Sequence, residues 1–204
     1  MRRSAAVALI LLVFLSGSVT AFPAMKLYGE ANAWFSVRAV SAGKNGEFAV
    51  LGEVLGERYS SASILLFTAP DTLVWRRNLR TEEGTLDARG IEFGKDGIIV
   101  VGEYKKGGSK KPFILYLGLD GKVKKALILK DYSGYFNSIS DGLAVGSVWK
   151  GDEPHDILVT KIGPEGNVEW VRVYGGDYYD SAKKGREGSR RIHCSGHNDQ
   201  LREP

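Results

Sequence analysis

Residues 88–102 read ARGIEFGKDGIIVVG, with one apolar-rich run, an Asp96-Gly97 pair, a second run Ile98-Ile99-Val100-Val101 and a closing Gly102. Asp-Gly between two short apolar runs is a strong hairpin signal, because both central residues of the favoured two-residue turn need positive φ. The same order occurs twice more. Residues 35–42 lead into Asn45-Gly46 and then 48–51 before Gly52, and residues 136–140 lead into Asp141-Gly142 and then 143–145 before Gly146. Each of three repeated units therefore opens with a hairpin.

Outward from these hairpins, each closing glycine is followed by a polar stretch, 56–61, 105–111 or 150–155, which reads as a loop. A second hairpin comes next, with strands expected over 63–68 and 73–79, 112–117 and 122–129, and 156–162 and 167–174. Its turns are Ala69-Pro70-Asp71, Asp120-Gly121 and Pro164-Glu165-Gly166. The interval from the closing glycine to one position of the last strand is 23 residues for Gly52 to Trp75, 23 for Gly102 to Lys125 and 24 for Gly146 to Trp170. Four short strands in up-and-down order, repeated roughly every 45–50 residues, match the arithmetic of a propeller blade. The fold expected is all-β, a propeller-like stack of four-stranded antiparallel blades over 35–85, 86–134 and 135–179. Second and third strands that are apolar at successive positions, as in Ile64-Leu65-Leu66-Phe67 and 98–101, suit sheets covered on both faces. Alternation in 168–172 suits a half-exposed outermost strand.

The run from Asp156 through Lys161, Gly166-Asn167, Trp170 and Tyr174-Gly175-Gly176 to Asp180-Ser181-Ala182 resembles the repeat of exported β-propeller proteins of bacteria and archaea. Units of that family typically open a strand with aspartate and continue through lysine, a Gly-Asn turn and an aromatic strand to Tyr-Gly-Gly. The third unit matches well; the second has Lys125 in place of the tryptophan, and the first has Ser63 in place of the aspartate. The resemblance covers about 150 residues and bears on fold more than on activity. Propellers close with about four to eight blades, whereas this chain supplies three and the start of a fourth. Residues 180–204 then read either as a disordered basic tail or as the aberrant end of a truncated product.

Arg2 and Arg3, the apolar run 5–15 and the small residues up to Ala21 have the order of a secretory signal peptide, with cleavage expected after Ala21 and a lead-in over 22–34. An apolar run that short falls below the roughly 20 residues of a membrane-crossing helix; an uncleaved anchor is the other reading. Cys194 is the only cysteine, so no intrachain disulfide forms and stability rests on packing. The net charge of +4 is concentrated at the ends: Arg2 and Arg3 carry two charges, and residues 183–204 hold six basic against three acidic side chains. The remaining stretch, 22–182, has a net charge of −1, which argues against a nucleic-acid partner.

His193, Cys194, His197 and Asp199 form the densest set of metal-type ligands, but their spacing fits none of the common zinc patterns and no second ligand pair exists. An incidental run in the tail is the favoured reading, and no cofactor is expected. His155 beside Asp156 suits a general base, yet no nucleophile stands in a recognised setting, so a solvated loop is the expectation there. The glycines of Gly52-Glu53, Gly102-Glu103 and Gly146-Ser147 read as points where a strand bends or another backbone approaches. Trp34, Trp75, Trp149, Trp170, Tyr178 and Tyr179 are candidates for sugar stacking, with packing between blades favoured for Trp75 and Trp170. Trp149 and His155 remain the candidate ligand contacts, and the lysines at 105, 106, 110 and 111 are a candidate attachment point for an anionic surface polymer. The leading expectation is a non-enzymatic exported module for binding or assembly at the cell surface, its partner a surface polymer, a protein or further copies completing the ring. The alternatives are a truncated propeller enzyme, quinone-dependent or glycan-acting, and a non-functional remnant.

Overall fold

A computed structural model of the chain describes residues 33–56, 60–68, 72–149, 155–176, 180–187 and 192–195. The described residues contain strands and turns and no helix. Sheet one comprises β1 (Ala33–Ala42), β2 (Phe48–Gly56), β3 (Ser60–Thr68) and β4 (Thr72–Leu79). Sheet two comprises β5 (Thr85–Phe93), β6 (Gly97–Lys106), β7 (Ser109–Gly118) and β8 (Val123–Ile128). Sheet three comprises β9 (Ser133–Ser140), β10 (Leu143–Trp149), β11 (Asp156–Ile162) and β12 (Val168–Tyr174). Each is an antiparallel meander with its strands in chain order. The segment read from sequence as a tail carries a fourth, two-stranded piece, β13 (Lys184–Glu187) with β14 (Ile192–Ser195).

The sheets lie face against face. In the run 98–101, Ile98 and Val100 enter a cluster with Leu51, Ile64 and Leu66 of sheet one, while Ile99 and Val101 enter one with Phe136, Ala144 and Leu158 of sheet three. Successive strand residues point to opposite faces, so a run apolar at every position fits a strand covered on both sides. A fully buried aliphatic side chain contributes about 1.5–3 kcal/mol, which makes these two interfaces the main source of stability. A third cluster joins Leu143, Val145, Ile157 and Val159, on the far face of sheet three, to Ala182.

The internal repeat extends to the irregularities. Between the first and second strands of every sheet the register slips by one residue, leaving Arg38, Arg89 and Asn137 as the extra residues. The partners at the slip are Gly52, Gly102 and Gly146, the closing glycines of the sequence units. A Cβ on Gly52 would lie within 2.9 Å of the Phe35 ring, one on Gly102 2.9 Å from the Ala88 Cα, and one on Gly146 2.7 Å from the Phe136 Cα. Close approach therefore requires glycine there, as the sequence led us to expect. A second slip separates the third and fourth strands, omitting Val74, Lys124 and Glu169 just beside Trp75, Lys125 and Trp170. The three positions matched by spacing are thus equivalent in register.

Two local expectations are corrected. The stretch 105–111 is a tight turn rather than a polar loop: Gly107 and Gly108 have φ of 55° and 81°, and Lys105 pairs directly with Lys110. Two consecutive glycines reach the doubly positive geometry without steric cost, so both strands continue to the turn. Of the three opening hairpins, only Asp141-Gly142 has positive φ at both residues, 52° and 71°. At Asn45-Gly46 only Gly46 does, because the loop is one residue longer and closes through a Gly43 N–H bond to the Glu47 carbonyl. Gly97 has no positive φ; a Cβ there would press into the Tyr116 ring, 2.8 Å from its nearest atom.

Gly146→Ala is expected to cost about 3 kcal/mol by forcing the bulged strand away. Gly107→Ala, which meets nothing within 4 Å, should cost only about 1 kcal/mol for its left-handed backbone. Urea unfolding of the two variants checks this order.

Candidate functional site

The extra residue of each first-strand bulge is polar, and these residues join the three sheets. Arg38 pairs with Glu53 in its own sheet and reaches Asp87 of sheet two at 4.0 Å. Arg89 donates to Asp87 at 2.8 Å, to Glu103 at 2.7 Å and to Asn137 of sheet three at 3.4 Å. Asn137 donates in turn to the Ala182 carbonyl at 2.7 Å. Lys105 completes the network, 3.5 Å from Asp87 and 3.3 Å from Glu103. Three cations thus face three carboxylates, so the charges balance. Arg38, Glu53, Asp87 and Lys105 wall a cleft of about 380 Å³.

Burial differs sharply within the network. Glu103 is only 2% exposed, and its second oxygen, Oε1, has no hydrogen-bond partner. Burial pushes the Asp87 carboxyl up, but the hydrogen bond from Arg89 and the charges of Arg89, Lys105 and Arg38 outweigh it and hold the group below its ordinary value. Arg89 also covers the Tyr135 ring, 4.3 Å from its centroid. Through that contact the ion network adjoins a second group of side chains.

Tyr135 lies near the start of β9, two residues after Ser133, Trp149 closes β10 and His155 directly precedes β11, so the meander brings all three to one end of sheet three. Trp149 meets Tyr135 edge-on at 5.5 Å and His155 at 4.8 Å between centroids. From sheet two, Lys110 places its ammonium 5.4 Å from the Trp149 centroid, and Lys111 donates to Ser133 at 3.3 Å. Burial, followed by the Lys110 charge, lowers the His155 pKa from its ordinary value.

The two ligand-contact candidates from sequence, Trp149 and His155, therefore stand in contact with each other. Asp156 is buried with its carboxylate packed where a Cβ on Gly175 would fall, which accounts for a strand-opening aspartate and a Tyr-Gly-Gly in the same unit. Trp75 bridges sheets: its indole N–H donates to the Leu119 carbonyl of sheet two at 2.6 Å. Sheet two has Lys125 at that register position, and its cross-strand partner Tyr116 packs against Gly166 of sheet three instead. Trp170 lies on the far face of sheet three under Arg172, 5.0 Å from its centroid. His193 and Cys194 stand on β14 in register with Arg186 and Gly185. His197, Asp199, Tyr178 and Tyr179, and the side chain of Trp34, lie outside the described residues.

Sequence reasoning missed Arg38, Asp87, Arg89, Asn137 and Tyr135. The interval from the bulge residue to its glycine differs between units (38 to 52, 89 to 102, 137 to 146), so no fixed spacing marks the position. No protein-family model matches the chain, and no curated protein matches it.

Arg89→Met should destabilise the fold by about 3 kcal/mol, because it strips the buried Glu103 of its closest cation. Adding Glu103→Leu should restore most of that loss, and thermal melting of single and double variants measures it. His155 generates a pH dependence of known sign. Its folded-state pKa lies below the ordinary 6.5, so on acidification the unfolded chain takes up the proton first. Stability should fall as pH drops from about 6.5 towards the folded value. His155→Phe should remove that step while leaving the acid loss below about pH 4 that Asp87 contributes.

Proposed function

We propose that this chain is an exported β-propeller module without enzymatic activity that works by binding and assembly at the cell surface. The fold side of this reading is supported by three equivalent meanders whose first strands are neighbours and share one bulge, the arrangement expected of blades around an axis. The export side is supported by the order of residues 2–21, which lie outside the described residues. The assembly side is carried by one observation. On β1, Val37 and Val40 are 57% and 60% exposed.

In a closed ring the outer face of the first blade packs on the last. An edge strand of sheet one with exposed valines, where the described residues hold three four-stranded sheets, suits a ring finished by another copy. Two copies supply six four-stranded sheets from their described residues, within the range of known propellers.

Light scattering on the full chain should give the mass of a dimer, and Val40→Lys should convert it to monomer with the strand content unchanged. A wild-type chain that stays monomeric at every concentration overturns the assembly reading. Mass analysis of the secreted product should place the new N-terminus after Ala21, and retention of the leader would overturn that cleavage.

A further inference from the structure

The end of sheets two and three that carries Trp149 combines an aromatic surface with cations that have no carboxylate partner among the described residues. The Gly107-Gly108 turn places Lys105 directly opposite Lys110 and Tyr104 opposite Lys111. Like charges directly opposite across a strand pair destabilise a sheet. On β6 they are compensated, Lys105 by Asp87 and Glu103 and Lys106 by Glu83. On β7 no carboxylate among the described residues lies within 4.0 Å of Lys110 or Lys111. Lys110 and Lys111 are therefore the cations of this hairpin that an external anion would pair with.

The chemistry of that anion follows from what surrounds the lysines. Lys110 is exposed and rests on the Trp149 ring, while Tyr135 and His155 brace the indole edge-on from two sides. Trp149 is half-buried and Lys110 exposed, a setting in which a cation on an indole gains about 0.5–2 kcal/mol, little enough for it to swing onto an anionic ligand and free the ring face. A rigid aromatic face held in this way suits the C–H face of a sugar ring. A simple polyanion would use the lysines and ignore the indole; a neutral glycan would do the reverse.

We infer that this rim binds an acidic polysaccharide, with a sugar ring stacked on Trp149 and its carboxylate or sulfate held by Lys110 and Lys111. The inference rests on the reading of the chain as a surface-binding module and names the ligand class for it. Lys111, already hydrogen-bonded to Ser133, is the pre-positioned cation, and Lys110 is the one that moves.

The test is calorimetric titration of the full chain with alginate, dextran sulfate and neutral dextran, at low and high salt. We expect one or both acidic polymers to bind and dextran not to bind. Tighter binding of alginate identifies a uronate ligand; tighter binding of dextran sulfate identifies a sulfated one. The Lys110→Ala/Lys111→Ala variant and Trp149→Ala should each weaken binding about tenfold, with Trp149→Tyr recovering most of it. Lys122→Ala/Lys124→Ala removes the same charge at the opposite end of the sheet and should leave affinity unchanged. Equal weakening by that control pair, or full affinity in Trp149→Ala, would show charge attraction alone and overturn the inference, as would binding of neither acidic polymer. Light scattering on the same samples separates the two readings. A dimer that ignores both polymers sinks only the ligand, and a monomer that binds them sinks only the assembly.

Discussion

The middle strands of sheets two and three are buried on both faces, and the rest of the structure depends on this constraint. Ile98 and Ile99 are neighbours in the chain, yet they enter different cores, one shared with sheet one and the other with sheet three. The middle strands of sheet two therefore have no solvent face to fall back on, and a stack results because each sheet completes its neighbour. In such a series stability is a sum of interface terms between adjacent units. The outer sheets then matter as much as the middle one, and on β1 Val37 and Val40 stay exposed.

Stacking by apolar contact alone does not define how one sheet slides over the next, since aliphatic surfaces are weakly directional. The polar series on the first strands supplies direction. Each bulge turns one residue out of the ladder and towards the adjacent sheet, and the glycine opposite gives the bent strand room to cross. Arg89 illustrates the consequence, because it touches Asp87 and Glu103 within its sheet and Asn137 and Tyr135 in the next. A buried ion network is weak evidence for stability, but a hydrogen-bonded one with balanced charge specifies a single alignment. Glu103, almost wholly buried, is tolerated because two cations approach it.

That alignment also sets the geometry of the rim. Trp149, Tyr135 and His155 come from one sheet and Lys110 from another, so the rim exists only when sheets two and three are in their correct relative position. The four-lysine hairpin is a place where local sequence works against local stability, and such conflicts tend to mark functional surface.

Much of this was legible in the chain. The positions of the strands, the four-strand period, the equivalence of Trp75, Lys125 and Trp170, and the structural role of Gly52, Gly102 and Gly146 all follow from residue order, because turn chemistry and two-sided burial act over a few neighbouring residues. The lysine stretch was misjudged as a loop because polar composition normally marks loops, and the two glycines that allow a tight turn were outweighed. The ion network from Arg38 to Asn137 and the meeting of Lys110 with Trp149 were beyond reach of sequence. Their partners lie in different sheets, and a one-residue bulge, which has no constant spacing, decides which side chain points across. Short-range order thus determined the strands and their turns, while the contacts that only stacked sheets can make decided which polar side chains share a site.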